Sequence, residues 1–191
     1  MQYYKIVTYG DPILKRKAVP VTSVDEHIRR LAKDMLATMH RYGGVGLAAQ
    51  QIGRQEAICV VDISVAEQAR NAQASGMTCG VPMPMIMINP EITAAEGRIQ
   101  MVEGCLSFPE IFIPLTRSAE VTVTFTDLKG RPQTVSAGGF LARAIQHEID
   151  HLNGVLIVDR MSATQKLALS GKLRRLRSQT RAEASAAAMK S

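Results

Sequence analysis

The sequence predicts an α+β protein: mainly antiparallel β-sheets around a central helix, with an N-terminal and a C-terminal helix. Three observations carry this. Residues 121–126 alternate Val or Phe with Thr, the signature of a half-buried strand. Residues 24–42 and 139–152 place apolar side chains at helical spacing. Strand-like runs dominate the middle of the chain and helical ones flank it.

The elements follow in chain order. Ser23-Val24-Asp25-Glu26 has the form of a capping box. Ile28, Leu31, Met35 and Met39 then form an apolar stripe that Gly43-Gly44 ends, so the spacing predicts a helix over 24–42. Residues 57–63 form a short apolar run that reads as a buried strand. Residues 66–84, rich in Ala, Gln, Gly, Met and Pro and without periodicity, read as a long loop. Residues 85–89 read as another strand. After 121–126, Asp127-Leu128-Lys129-Gly130 turns the chain toward a partner strand near 132–136. Gly138-Gly139 opens a helix through Leu152, with Leu141, Ile145, Ile149 and Leu152 on one side. A last helix is expected over about 162–180, where Leu169, Leu173 and Leu176 lie opposite Arg174, Arg177 and Arg181. No internal repeat is visible. The expected organisation is one catalytic domain over 1–160 and a basic C-terminal helix or tail over 161–191.

With 191 residues, 46% hydrophobic and 21% charged, the chain can bury a sizeable core, and that apolar content excludes disorder. No apolar run approaches a membrane span, and the first residues lack the basic and apolar blocks of a signal peptide. Cys59, Cys79 and Cys105, an odd set without close spacing, fit a reducing compartment, so the expectation is cytoplasmic. The net charge of +6 is local: from 161 to 191 seven Lys/Arg face one acid, and the remaining residues balance. A basic appendage on a neutral body suggests an anionic neighbour. It does not suggest a broad DNA-gripping face or a membrane partner.

The chemistry concentrates in His147-Glu148-Ile149-Asp150-His151. Four residues are just over one helical turn, so both imidazoles leave one face and can hold one ion. Glu148 projects about 100° around the helix from His147, placed to take a proton from water rather than to bind the ion. A catalytic site typically needs a third protein ligand. The metzincin position, 157, is Ile, and the acids downstream of His151 are Asp159 and Glu183. Asp159 stays open as a donor. Cys105, in Glu103-Gly104-Cys105-Leu106-Ser107, is the upstream candidate, whereas Cys59 reads as a core thiol and Cys79 as incidental. A Cys/His/His set suits iron(II) or zinc. The run 44–51, Gly-Val-Gly-Leu-Ala-Ala-Gln-Gln, lacks the Gly-Lys-Ser/Thr end of a phosphate loop; its small residues allow another backbone to approach closely, or a tight packed connection.

Together, the runs 44–51, 103–107 and Gln146-His147-Glu148-Ile149-Asp150-His151 resemble the three signature motifs of the peptide deformylases, and 9–14 and 19–21 resemble the family's N-terminal segment. The likeness runs from about residue 6 to 160. It implies removal of the formyl group from formyl-methionine of newly made polypeptides, with release of formate. The implied metal ligands are Cys105, His147 and His151, holding one divalent ion, Fe2+ foremost, with Zn2+, Ni2+ or Co2+ as substitutes. Glu148 is implied as acid/base, and Gln51 and the Leu106 N–H as donors to the oxyanion. Substrate contacts are implied for Gly44, Val45, Gly46, Glu103, Gly104, Arg143 and Ala144. The backbone at 44–46 is expected to pair with the substrate like an added strand. Glu103 is also a candidate to support a ligand from behind. In the family a C-terminal helix docks near the ribosomal exit tunnel, which implies rRNA contact here.

Three residues depart from the family's common pattern: Phe108 and Phe112, and Arg143, whose stem is expected to pack with its head outside. Two other readings compete. One is a zinc endopeptidase of the His-Glu-x-x-His type. The other is a basic ribosome- or RNA-associated protein with a structural metal.

Overall fold

The computed structural model describes residues 2–64 and 81–188. Most of the loop expected over 66–84, together with Cys79, lies outside the described residues. Helix α1 (Glu26–Arg41) buries Ile28, Leu31, Met35 and Met39, the stripe its spacing predicted. Its N-cap is Asp25, whose carboxylate accepts from the Ile28 N–H at 2.9 Å, and not the Ser23 box expected. Glu26 is thus the first helical residue and stands too early to reach back to a cap.

Seven strands follow: β1 (Gly46–Ala48), β2 (Ile58–Val61), β3 (Met85–Glu96), β4 (Ile99–Cys105), β5 (Phe108–Arg117), β6 (Glu120–Thr126) and β7 (Pro132–Gly138). They make an antiparallel five-stranded sheet in the order β1-β2-β3-β6-β7, and a separate hairpin of β4 and β5. Strand β3 outruns the five residues expected of it. Asn89, with φ 50°, carries the chain through a register shift between Ile88 and Glu91, and its amide clasps both backbone groups of Val21. The hairpin and β1 were not expected as strands.

The sheet is covered on both faces, and the alternation along β2 shows how. Ile58 and Val60 pack with Leu31, Met35 and Met39 of α1. Cys59 and Val61 turn the other way, onto Leu141, Ile145 and Ile149 of α2 (Gly139–Leu152). Helix α2 is therefore central, and the four apolar residues its spacing singled out are all buried. The hairpin closes a third cluster with Leu14, the short helix α3 (Ile157–Arg160) and the last helix α4 (Ala163–Ala188), through Phe108, Ile111, Ile113, Leu115, Leu156, Ile157, Met161 and Leu173. Helix α4 runs longer than expected and is laid along the N-terminal segment: Thr180 Oγ1 lies 2.6 Å from Thr8 Oγ1, and Lys5 pairs with Glu183 at 2.6 Å.

Candidate active site

His147 and His151 stand on consecutive turns of α2, with ring centroids 5.0 Å apart. Cys105 ends β4 at a register shift that follows Gly104, and its Sγ lies 3.2 Å from His151 Nε2. One donor atom from each of Cys105, His147 and His151 lies within 4.8 Å of the others, and no other residue set among those described converges this way. Asp159, the donor left open by the sequence, accepts from the Leu156 N–H at 2.7 Å and pairs with Lys15 instead.

The surroundings fix the protonation of this set. Glu103 Oε1 lies 2.8 Å from His147 Nδ1. A carboxylate only accepts, so Nδ1 carries a proton. Burial would lower the His147 pKa, but Cys105, Glu103 and Glu148 hold it well above the usual imidazole range, so Nε2 gives up its own proton only in favour of a bound ion. Burial would push the Glu103 carboxyl up, but hydrogen bonds from His147 and Arg117 outweigh it and hold it well below the usual carboxylate range. Burial, reinforced by the field of His147, keeps His151 well below the usual imidazole range. Glu103 borders the cavity beside the cluster, and its carboxylate is turned onto His147. It is buried behind His147, gripped by Arg117 at 2.7 and 2.8 Å and by Arg143. Arg117 also donates to Asp150 at 2.8 Å, and Arg160 clasps Asp150 from outside at 2.5 Å.

Arg143 overturns the expectation of a head in solvent. Its side chain is 2% exposed and its guanidinium ends on the hairpin. A full positive charge is buried here because Glu103 faces it.

The cluster borders a cavity of about 680 Å³ whose walls include Gly44, Val45, Gly46, Gln51, Gly104, Cys105, Leu106, Phe112, Arg143, Ala144 and Glu148. Glu148 lies against β1, where a Cβ on Gly46 would come within 2.7 Å of its Cδ. Burial pushes its carboxyl up to about 7, against the pull of His147 and Arg117. Glu148 Oε2 and His151 Nδ1 are buried without a partner among the described residues. Gln51 is buried, anchored by the Ala48 N–H on its Oε1 at 2.8 Å, and its Nε2 points at Cys105 Sγ at 3.5 Å and Ser107 Oγ at 3.4 Å. Phe108 belongs to the hairpin core, stacked on Tyr9, whereas Phe112 is 70% exposed and leans over Gly104, where a Cβ would strike its ring at 2.7 Å.

Sequence reasoning missed Arg117, Asp150 and Ser107. For Arg117 a signal existed: it continues the inward alternation of Ile111, Ile113 and Leu115 along β5, so a charge stands where an apolar residue belongs.

The donor set fits one divalent ion on three counts. A thiol and two imidazoles converge, one imidazole is oriented by a carboxylate, and a buried carboxylate oxygen waits beside them. Among the described residues no helix is long and apolar enough to cross a membrane.

The polypeptide deformylase family profile matches residues 3–167. A peptide deformylase of Opitutus terrae is 46% identical over 184 residues, covering 94% of this chain and 96% of the relative. The crystal structure of the Thermus thermophilus peptide deformylase superposes with a TM-score of 0.80 at 36% identity, covering 93% of this chain and 99% of that one. That of Synechococcus elongatus, in complex with actinonin, gives 0.76 at 38% identity, covering 88% and 87%. These likenesses favour neither the endopeptidase nor the structural-metal alternative. Motifs, fold and ligand geometry thus agree, and the chain belongs to the polypeptide deformylases, metal-dependent hydrolases that remove N-terminal formyl groups from nascent polypeptides.

Proposed function

We propose that this chain deformylates the formyl-methionine of new polypeptides in the cytoplasm, with Cys105, His147 and His151 holding one Fe2+ ion that Zn2+, Ni2+ or Co2+ can replace. The convergence of the three donor atoms within 4.8 Å beside Glu148 carries this reading. The ion, when bound, supplies Lewis-acid polarisation of the formyl oxygen and acidifies water.

The chain's own groups do the rest. Glu148 takes a proton from the attacking water as its oxygen adds to the formyl carbon. Gln51 Nε2 and the Leu106 N–H donate to the oxygen that gains charge. As the carbon–nitrogen bond breaks, Glu148 passes the proton to the amine, and formate leaves with the added oxygen. Burial of Glu148 suits a group that must hold and release a proton near neutrality.

Substrate alignment follows from β1 being the edge of its sheet. Val45 C=O accepts from the Asp62 N–H at 2.9 Å, so by strand alternation the Gly46 N–H and C=O face away from β2, free to pair with an extended peptide. The Gly44 N–H is used internally, on Met39 C=O at 3.0 Å, so its part is to leave room beside Leu106. Gly104 and Ala144 complete the cavity wall, to which Arg143 contributes its stem. Ribosome binding through rRNA is supported by the exposed Lys166, Lys172, Arg174, Arg175, Arg177 and Arg181 of α4.

The test is anaerobic purification with metal analysis and a formate assay on one sample. We expect one ion per chain and formate release from a formyl-methionyl peptide without internal cleavage. Oxygen-sensitive activity that tracks iron is expected for Fe2+. Full activity after complete removal of metal, or a Cys105→Ser variant that keeps both ion and rate, would overturn the reading.

A further inference from the structure

Arg143 sits one turn before His147, yet its head serves a different part of the chain. Nη1 donates to Glu103, and Nη2 donates to the backbone carbonyls of Ile99 and Leu115 at 3.0 Å each. These acceptors lie on both strands of the hairpin, Ile99 and Glu103 on β4 and Leu115 on β5. The hairpin brings Cys105; α2 brings the two histidines. Among the described residues β4 and β5 pair only with each other, so no sheet ladder sets the position of the hairpin against α2.

The apolar side of β5 holds the hairpin down through Ile111, Ile113 and Leu115, but such packing is non-directional. Directional bonds across this joint come from His147 on Glu103, from Gln146 of α2, which clasps both backbone groups of Ser118 just past β5, and from two buried arginines. Arg117 belongs to the hairpin itself and reaches Asp150 on α2. Arg143 reaches from α2 and grips backbone on both strands as well as the carboxylate behind His147.

We propose that Arg143 is a positioning residue that sets the spacing between the Cys105 thiol and the two imidazoles. By fixing Glu103 and both hairpin strands to the helix, it aligns the third donor with the other two. The planar fork meets the three acceptors from two separate nitrogens, whereas the three donors of an ammonium all leave a single atom. The inference rests on the ligand assignment proposed above.

Two variants test it. Arg143→Met keeps an apolar stem in the cavity wall and removes the fork; Arg143→Lys keeps the charge and removes the fork. Each is compared with the parent by Zn2+ competition against a chelator and by the visible spectrum of the Co2+-loaded protein. Removing a group that orients a ligand typically weakens metal binding about 10–100-fold, and that loss is expected in both variants, with a shifted Co2+ spectrum and no rescue by lysine. An unchanged Zn2+ affinity or an unchanged Co2+ spectrum in either folded variant overturns the proposal. Should Arg143→Met not fold, Arg143→Lys decides alone by the same two readouts. A parent that takes up no stoichiometric ion, or a Cys105→Ser variant that retains it, would instead defeat the ligand assignment.

Discussion

Replacing Gly46 by alanine tests whether the position of the Glu148 carboxyl matters. The new methyl would fall 2.7 Å from Glu148 Cδ and 2.8 Å from Cγ. Carbon atoms in contact sit about 3.5–4.0 Å apart, so roughly 1 Å of relief is required. Gly46 is not among the positive-φ glycines, so alanine fits the backbone and β1 has no conformational reason to break. Glu148 is 3% exposed, so the relief comes at the cost of the carboxyl's place beside the ligands. A displacement of about 1 Å at a reacting group costs on the order of 10²-fold in rate, or about 2.7 kcal/mol of barrier. Formate release should show that loss in kcat, with metal content and the thermal midpoint near those of the parent. A folded, fully loaded Gly46→Ala protein with kcat within about threefold of the parent would refute the role given to Glu148.

Gln51→Ala should lower kcat about 10²–10³-fold, the usual loss of one oxyanion donor, and lower the urea midpoint because the buried Ala48 N–H loses its acceptor. Gln51→Glu keeps that acceptor and should recover stability but not rate. Leu173→Ala should cost about 2–4 kcal/mol by the cavity it leaves in the hairpin cluster, read by denaturant unfolding. Reversing Arg174 and Arg175 to Glu should spare short-peptide hydrolysis yet reduce ribosome co-sedimentation, with a shallower salt dependence than the parent. Acid stability has a defined source at Glu56. Burial would raise its pKa, but bonds from Arg54, a backbone N–H and His27 hold it at about 2. Since that lies below the unfolded value of about 4.3, its contribution is complete above that value and is lost as pH falls toward 2. The difference in urea midpoint between parent and Glu56→Gln should therefore be larger at pH 7 than at pH 3; a constant difference would count against this source.

What the sequence made legible was local. The histidine pair follows from helical pitch alone, the α1 stripe from its spacing, and β6 from its Val/Thr alternation. The hairpin stayed hidden although Ile111, Ile113 and Leu115 alternate, because Pro109 and Pro114, residues that cannot donate to a ladder, interrupt the run and Phe112 puts an aromatic on the open face. Strand β3 was cut short at Asn89-Pro90, where the chain in fact passes through a bulge. Cys105 needed the family resemblance to separate it from Asp159, since nothing local says which segment folds back to the helix. The partners of Glu103 were out of reach altogether: Arg143 is 40 residues away in sequence, and its neighbours suggested only a cavity wall.

That contrast explains how the site is divided between the two sheets. Helix α2 spends its apolar side, Leu141, Ile145, Ile149 and Leu152, on sealing the five-stranded sheet, with Glu148 against β1, which leaves His147 and His151 to be covered by something else. The hairpin is that cover, and its inward apolar side packs on Leu173 of α4 together with Leu14, Leu156 and Ile157. The N-terminal segment closes the same joint from the edge, with Tyr9 N–H on Ser107 C=O at 2.9 Å and Val7 N–H on Gln51 C=O at 2.8 Å. Ligand geometry therefore depends on packing at both chain ends. The last helix, whose charge suggests an appendage, has an inner face that supports the hairpin carrying Cys105 and an outer face that carries its exposed lysines and arginines.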